Sequence, residues 1–270
     1  MLPHRGARGE NCHVKALLMA VNCPKGEISR NTRRHLELLS EGAEHGADIV
    51  VFPEMSLTGS VDPVHWPGNA IALTHPALDE LAAATARLGV AALVGVAESC
   101  GADVYITQVL IERGRLVAHH RKHTLGEDEE GYCAGADVVA LRVGETPIGI
   151  AICAESAVDP PFDAAAAAGA SVVFQCSAPG LYGRRIDEDG WRTGFDWWSG
   201  AALTDAARHA RRHGLWVALS TQAGATADED FPGFAALVDP SGAVVASLPD
   251  WREGTLLVNL PDPQPPRRRG

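Results

Sequence analysis

Four times along the chain a helical stretch runs into a glycine and a short apolar strand follows at once. The first helix, capped by Ser29 or Asn31, runs to about His45 with Leu36, Leu39 and Ala43 on its apolar face; Gly46 ends it, and 47–52 is the strand. The second runs from about Pro76 to Leu88, then Gly89 and the strand 90–96. An alanine-rich third starts at Pro161 and stops at Gly169 before 170–175, and a fourth runs from about Trp197 to His213, then Gly214 and 215–220. Each glycine supplies the left-handed residue that stops a helix. Residues 14–21 and 147–152 read as further strands. Hairpin signals come in pairs: Arg113-Gly114 separates 108–111 from 116–118, and Pro240-Ser241-Gly242 separates 235–238 from 244–246. Each half of the chain thus carries two helix–glycine–strand units and then a hairpin. This order predicts one α/β domain of two similar halves, with sheets packed between helical layers.

With 270 residues and 46% hydrophobic content, the chain can bury a sizeable core. A net charge of −11 argues against a nucleic-acid partner. No apolar run approaches the ~20 residues of a membrane span. Residues 1–13 are polar and lack the apolar centre of a secretory signal, so they are expected to be a disordered leader. Residues 14–260 form the domain, and 261–270, with Pro265-Pro266-Arg267-Arg268-Arg269, read as an extended or disordered tail. The six cysteines, Cys12, Cys23, Cys100, Cys133, Cys153 and Cys176, are scattered with no CxxC pair, which fits a reducing cytoplasm.

Three strand ends carry reactive groups. In 147–155, Ile148, Ile150 and Ile152 share one face, and Gly149, Ala151 and Cys153 the other, so the thiol is expected on the open, small-residue side. A free cysteine is also among the most buried residue types, and this stretch alone does not make a nucleophile. Glu54 follows Pro53 at the end of an apolar strand, where open sheets hold their sites and burial suits a carboxylate to general-base work. Lys122 follows Leu116, Ala118 and His120 at even spacing, and Glu130 closes the acidic run Glu127-Asp128-Glu129-Glu130. A cysteine nucleophile needs a base, the negative charge built on an attacked carbon needs a fixed cation, and a second acid can hold that cation. Such a set suffices for acyl transfer without metal or cofactor. His119 and His123 would need helical spacing to share a metal, and their neighbours read as strand and loop.

In order, these blocks resemble the nitrilase superfamily, the carbon–nitrogen hydrolases with a Glu-Lys-Cys triad. The stretch 46–59 is similar to the family's first block with Glu54 at the general-base position; 120–125 to its lysine block with Lys122; and 149–155 to its nucleophile block with Cys153. Residues 130–135 resemble the segment that carries a supporting Glu in the aliphatic amidase branch, here Glu130; 214–224 and 233–242 resemble a late core strand and the closing hairpin. The resemblance implies a four-layer α-β-β-α sandwich and a homo-oligomer. It also implies hydrolysis of an amide or carbamoyl group through a Cys153 thioester, with the Ala154 N–H helping to hold the oxyanion. Pocket candidates are Glu155, Tyr182, Trp191 and Trp197, with Glu155 at the lip. The chain departs from the pattern at Ala154, where a large aromatic usually stands, at 158–162 and at Arg212-His213. The missing aromatic favours an amidase over a true nitrilase. The other reading is a silent scaffold acting through protein contacts, and a low-pKa thiol at Cys153 is the property expected to separate the two. No nucleotide-binding glycine motif is present, which argues against a coupled ATP-dependent synthetase.

Overall fold

The computed structural model describes residues 14–181, 183–185, 187–248 and 252–260. The first half runs through β1 (Val14–Val21), α1 (Ile28–Glu44), β2 (Ile49–Val51), α2 (Pro76–Leu88), β3 (Ala91–Cys100), β4 (Asp103–Glu112) and β5 (Arg115–Arg121). The second runs through β6 (Leu141–Val143), β7 (Thr146–Ile152), a 3-10 turn at Cys153–Ala157, α3 (Pro160–Ala167), β8 (Val172–Ser177), α4 (Glu188–His213) and β9 (Trp216–Gln222). A small ribbon, β10 (Gly224–Ala225) with β11 (Asp230–Phe231), precedes the hairpin β12 (Ala236–Val238) and β13 (Val244–Ser247); β14 (Gly254–Leu260) ends the described fold.

The twelve strands of the main sheet form two leaves of the same design. One leaf has the order β14-β1-β2-β3-β4-β5 and the other β6-β7-β8-β9-β12-β13. Within each leaf the three central strands are parallel and the flanking pairs antiparallel. The leaves join where Ala20 and Val21 pair with Thr221 and Gln222. Each leaf has one outer strand that follows a hairpin in the chain: β6, after the first hairpin, pairs with β7 of its own leaf, whereas β14, after the second, crosses over to pair with β1 of the first leaf. Neither outer strand had a signal strong enough to be expected from the sequence.

Side-chain alternation builds the layers. Ala16, Leu18, Ile49 and Val51 meet Ile148, Ile150, Ile152 and Phe174 between the leaves. The outer face of the first leaf, with Leu17, Met19 and Val50, packs on Leu38, Leu39, Leu78 and Leu81 of α1 and α2. The outer face of the second, with Ala151, Val173 and Val217, packs on α3 and α4 through Phe162, Ala165, Ala206 and Ala210. The result is the expected α-β-β-α sandwich of two similar halves.

Four local expectations need correction. Neither Ser29 nor Asn31 caps α1: the helix starts at Ile28, and Asn31 is buried, its amide donating to the carbonyls of Pro24 (2.9 Å) and Leu57 (3.1 Å). The fourth helix begins at Glu188 rather than near Trp197, with the Asp187 side chain accepting from the Gly190 N–H (2.8 Å). Glycines at 190, 194 and 200 weaken the helical signal there, and a Cβ at Gly194 would lie 2.7 Å from the Leu181 side chain. The small-residue face of β7 is not open, because α3 lies against it: a Cβ on Gly149 would sit 2.5 Å from that of Ala165. Finally, an irregular register between Leu110 and Ile111 puts Leu116 in the helix-facing layer while Ala118 faces the other leaf, so the even spacing towards Lys122 holds only from Ala118 onward. The leader (1–13) and tail (261–270) lie outside the described residues.

Candidate active site

Glu54 is set by its neighbours rather than by its own strand, which stops at Val51. The Phe52 N–H donates to the Leu93 carbonyl (2.8 Å), the Gln108 amide donates to the carbonyl of Phe52 (2.8 Å), and the Gln222 amide donates to that of Glu54 (2.8 Å). The chain then turns through Met55 at φ +48°, a left-handed conformation that costs a non-glycine residue. This loop crosses β3 at Gly95, where a Cβ would come within 2.3 Å of both the Met55 nitrogen and the Pro53 carbonyl. Only a glycine admits so close an approach.

Lys122 extends β5 by one residue, its N–H donating to the Ile106 carbonyl (2.8 Å). Its side chain is fully buried. The ammonium donates to Glu54 Oε1 (2.7 Å) and to Glu129 Oε1 (2.5 Å). Glu129 in turn accepts the Gly126 N–H (2.6 Å), which folds the acidic loop so that this carboxylate points inward. Glu130, expected beside Lys122, is exposed; the contact belongs to Glu129. Within a run of four acids, sequence spacing cannot tell which one a turn carries inward.

Cys153 is the first residue past β7 and has φ +45°. The left-handed turn ends strand alternation there, and the thiol lies against the inter-leaf core rather than on the face shared by Gly149 and Ala151. The turn is held from behind by Glu155. Its buried carboxylate accepts the N–H groups of Ile152 (2.8 Å) and His123 (2.7 Å), and it pairs with the His120 ring (3.0 Å). One side chain thus ties the residue before Cys153 to the residue after Lys122. Glu155 is therefore not a lip residue: it is buried and takes no part in lining the cavity. An acid directly after a strand reads as surface, and no sequence signal pointed to its burial.

A cavity of about 520 Å³ opens over these groups, lined by Glu54, Tyr132, Cys153, Ala154, Ala178 and Trp197 among others. The Ala178 N–H, just past β8, donates to Glu54 Oε2 (2.8 Å). Trp197 is on the rim with 60% of its surface exposed, and Trp198 lies beside it. Trp191 is half-buried and does not line the cavity, while Tyr182 lies outside the described residues.

The electrostatics follow from burial of opposite charges. Burial pushes the Glu54 carboxyl above its ordinary value; the Lys122 charge opposes this and Glu129 adds to it. Burial alone would lower Lys122, but Glu54, Cys153 and Glu129 outweigh it and hold the ammonium well above its ordinary value. Burial, then the charge of Glu54, pushes the Cys153 thiol well up against the pull of Lys122. Burial and the Glu54 charge thus favour the neutral thiol over the thiolate, the direction opposite to the lowered thiol that would mark a preformed thiolate. Among the described residues no group of three or more His, Cys, Asp or Glu is placed to hold a metal ion, and no helix is long and apolar enough to cross a membrane.

The sequence profile of the carbon-nitrogen hydrolase family matches residues 18–263, and the chain belongs to that family. By that membership it is an enzyme of the carbon–nitrogen hydrolase class. A glutamine-dependent NAD(+) synthetase of Xylella fastidiosa is 28% identical over 247 residues, which are 87% of this chain and 42% of that protein. The chain thus spans less than half the length of such relatives. A bifunctional nitrilase/nitrile hydratase of Lupinus angustifolius is 29% identical over 253 residues, covering 82% of this chain and 70% of that one. Among solved structures, an amidase from Nesterenkonia sp. superimposes with a TM-score of 0.78 at 23% identity, over 95% of this chain and 92% of that one, and so shares the fold.

Proposed function

We propose that the protein hydrolyses a small amide through a thioester on Cys153. Glu54 takes the thiol proton as sulfur attacks the carbonyl carbon, and the charge that grows on oxygen is met by Lys122 and the Ala154 N–H. Collapse of the adduct breaks the C–N bond, Glu54 returns the proton to the leaving nitrogen, and ammonia or an amine departs. Water, deprotonated by Glu54, then attacks the thioester; the carboxylic acid leaves and the thiol is restored. A neutral resting thiol suits this order, because proton transfer then accompanies attack. Glu129 holds Lys122 in place through a second ion pair.

The observation that carries this reading is the convergence of Cys153, Glu54 and Glu129 on one cavity, with the buried Lys122 ammonium between the two carboxylates. The test is ammonia release from short aliphatic amides, ω-amides, N-carbamoyl amino acids and nitriles, with Cys153→Ala as control. Release from amides, lost in the variant, and a Cys153 peptide heavier by the acyl group after a quench are the expected results. Undiminished release by Cys153→Ala would overturn the mechanism, and release from nitriles alone would replace the amide by a nitrile.

A further inference from the structure

A second, smaller recess of about 70 Å³ adjoins the nucleophile on the α4 side, lined by Cys153, Ser156, Gln175, Ser177, Trp198, Ala201, Ala202 and Asp205. It shares Cys153, Ser156 and Trp198 with the main cavity and so adjoins it at the residue that carries the thiol. Gln175 and Ser177 alternate with Phe174 and Cys176 of the inter-leaf layer and so face the helix-packed side of β8. That layer is mostly apolar: Val173 of the same strand meets Phe162, Ala165, Ala202 and Ala206 there, and the buried His209 ring stacks on Phe162. Both polar side chains are about 1% exposed, yet Gln175 Oε1 and Ser177 Oγ have no hydrogen-bond partner within the protein. Two unpaired buried polar atoms beside a nucleophile are not explained by packing, which would favour apolar residues. Ala201 and Ala202 leave the space open in front of them, and Asp205 brings a carboxylate that also contacts Arg208 (3.2 Å).

We propose, resting on the amide-hydrolase reading, that this recess receives a protonated amino group carried by the acyl part of the substrate. An ammonium has three N–H donors and no acceptor; the Asp205 carboxylate offers an acceptor on the lining, and Gln175 Oε1 and Ser177 Oγ are unpaired acceptors buried behind it that a side-chain rotation would turn to the ligand. The Trp198 indole adds a ring that can face a cation. The small volume and the shared Cys153 limit the substrate to a short amino amide. The lining of the main cavity agrees in sign: Asp62, Glu127, Asp128 and Glu229 stand there against Lys25, which is itself engaged by Asp228 (3.1 Å) and Glu229 (2.9 Å).

The experiment compares β-alaninamide with butyramide, and γ-aminobutyramide with valeramide, pairs that differ only in exchanging a terminal ammonium for a methyl group. The monoamide of succinic acid serves as the anionic member. The expected kcat/KM ratio of amino to neutral amide is about tenfold or more, the scale of a few charge-assisted hydrogen bonds, and it falls towards one in Asp205→Asn and Ser177→Ala. Equal or better turnover of the neutral amides by the unaltered enzyme would overturn the inference while leaving the hydrolase reading intact. A second readout needs no turnover: butylamine is expected to slow alkylation of Cys153 by iodoacetamide more than butanol does, and Asp205→Asn to abolish the difference. If no amide is cleaved, the hydrolase reading fails. This protection then decides the recess alone, and equal protection by amine and alcohol would sink it.

Discussion

The two halves of the molecule put a cysteine at nearly the same place and make different things of it. Cys23 stands two residues past the end of β1, and Cys153 one residue past the end of β7, the strand that occupies the same position in the other leaf. Cys23 packs into the layer between the first leaf and its helices, with its thiol pointed at the Val21 carbonyl (3.6 Å). Burial, then the charge of Glu253, pushes it well up, and it does not line the cavity. Cys153 leaves its strand with φ +45°, which swings it out of the helix-facing register to the seam between the leaves. At that seam the first half delivers Glu54 from the end of β2 and Lys122 from the end of β5. The second half answers with Cys153 and with the Ala178 N–H at the end of β8. Position after a strand is therefore not what brings a thiol to the groups of the other leaf. A left-handed turn is.

The contrast can be broken most severely at the cation. Lys122→Ala leaves Glu54 and Glu129 buried together without their ammonium. It is expected to lower kcat about 10³-fold and to cost about 3–5 kcal/mol of stability, as read by steady-state kinetics and urea unfolding. Next comes the tie behind the turn. Glu155→Gln keeps the shape but loses the charge that holds two backbone N–H groups and His120, with about 10²-fold less activity and about 1–3 kcal/mol less stability expected. The same residue gives a pH signature. His120 and the two backbone donors outweigh burial and hold the Glu155 carboxyl below its ordinary value of 4.5. A carboxyl depressed on folding contributes stability that is fully present above the unfolded value and is lost as pH falls through the folded one. Acid unfolding of Glu155→Gln should accordingly be shallower below about pH 4.5 than that of the parent; an unchanged slope would assign the tie to shape alone. Gly95→Ala pushes on the loop that carries Glu54 without removing any site group, and about 1–3 kcal/mol of destabilisation with a measurable drop in kcat is expected. Cys23→Ala sharpens the comparison from the other side, with about 1 kcal/mol of stability lost in thermal melts and hydrolysis unchanged.

Much of this was legible before the structure. Helix–glycine–strand repeats fixed the frame because a left-handed residue after a helix is a local requirement, and Gly46, Gly89, Gly169 and Gly214 all have positive φ. Glu54, Lys122 and Cys153 were readable from strand ends and ordered blocks, and the structure brings their side chains to one place. What escaped depends on turns and on distant chain. Glu129 rather than Glu130 meets Lys122 because of a bond to the Gly126 N–H, which no spacing encodes. Glu155 reads as a surface acid until His120, His123 and Ile152 are known to surround it. Gln175 and Ser177 look like ordinary strand polar residues until α4 is laid over them, and the start of α4 was itself hidden by three glycines.

The crossing of β14 to the first leaf also sets the order in which the chain can finish folding. In the second leaf β6 directly precedes β7, so that edge closes between near neighbours. In the first leaf β1 pairs with β14, Val14 opposite Leu260 and Ala20 opposite Gly254. During synthesis β1 therefore waits, with one row of backbone donors and acceptors unpaired, until nearly the whole domain has left the ribosome. The first strand of the domain is thus an open edge throughout that interval, and it is an edge that a chaperone can protect.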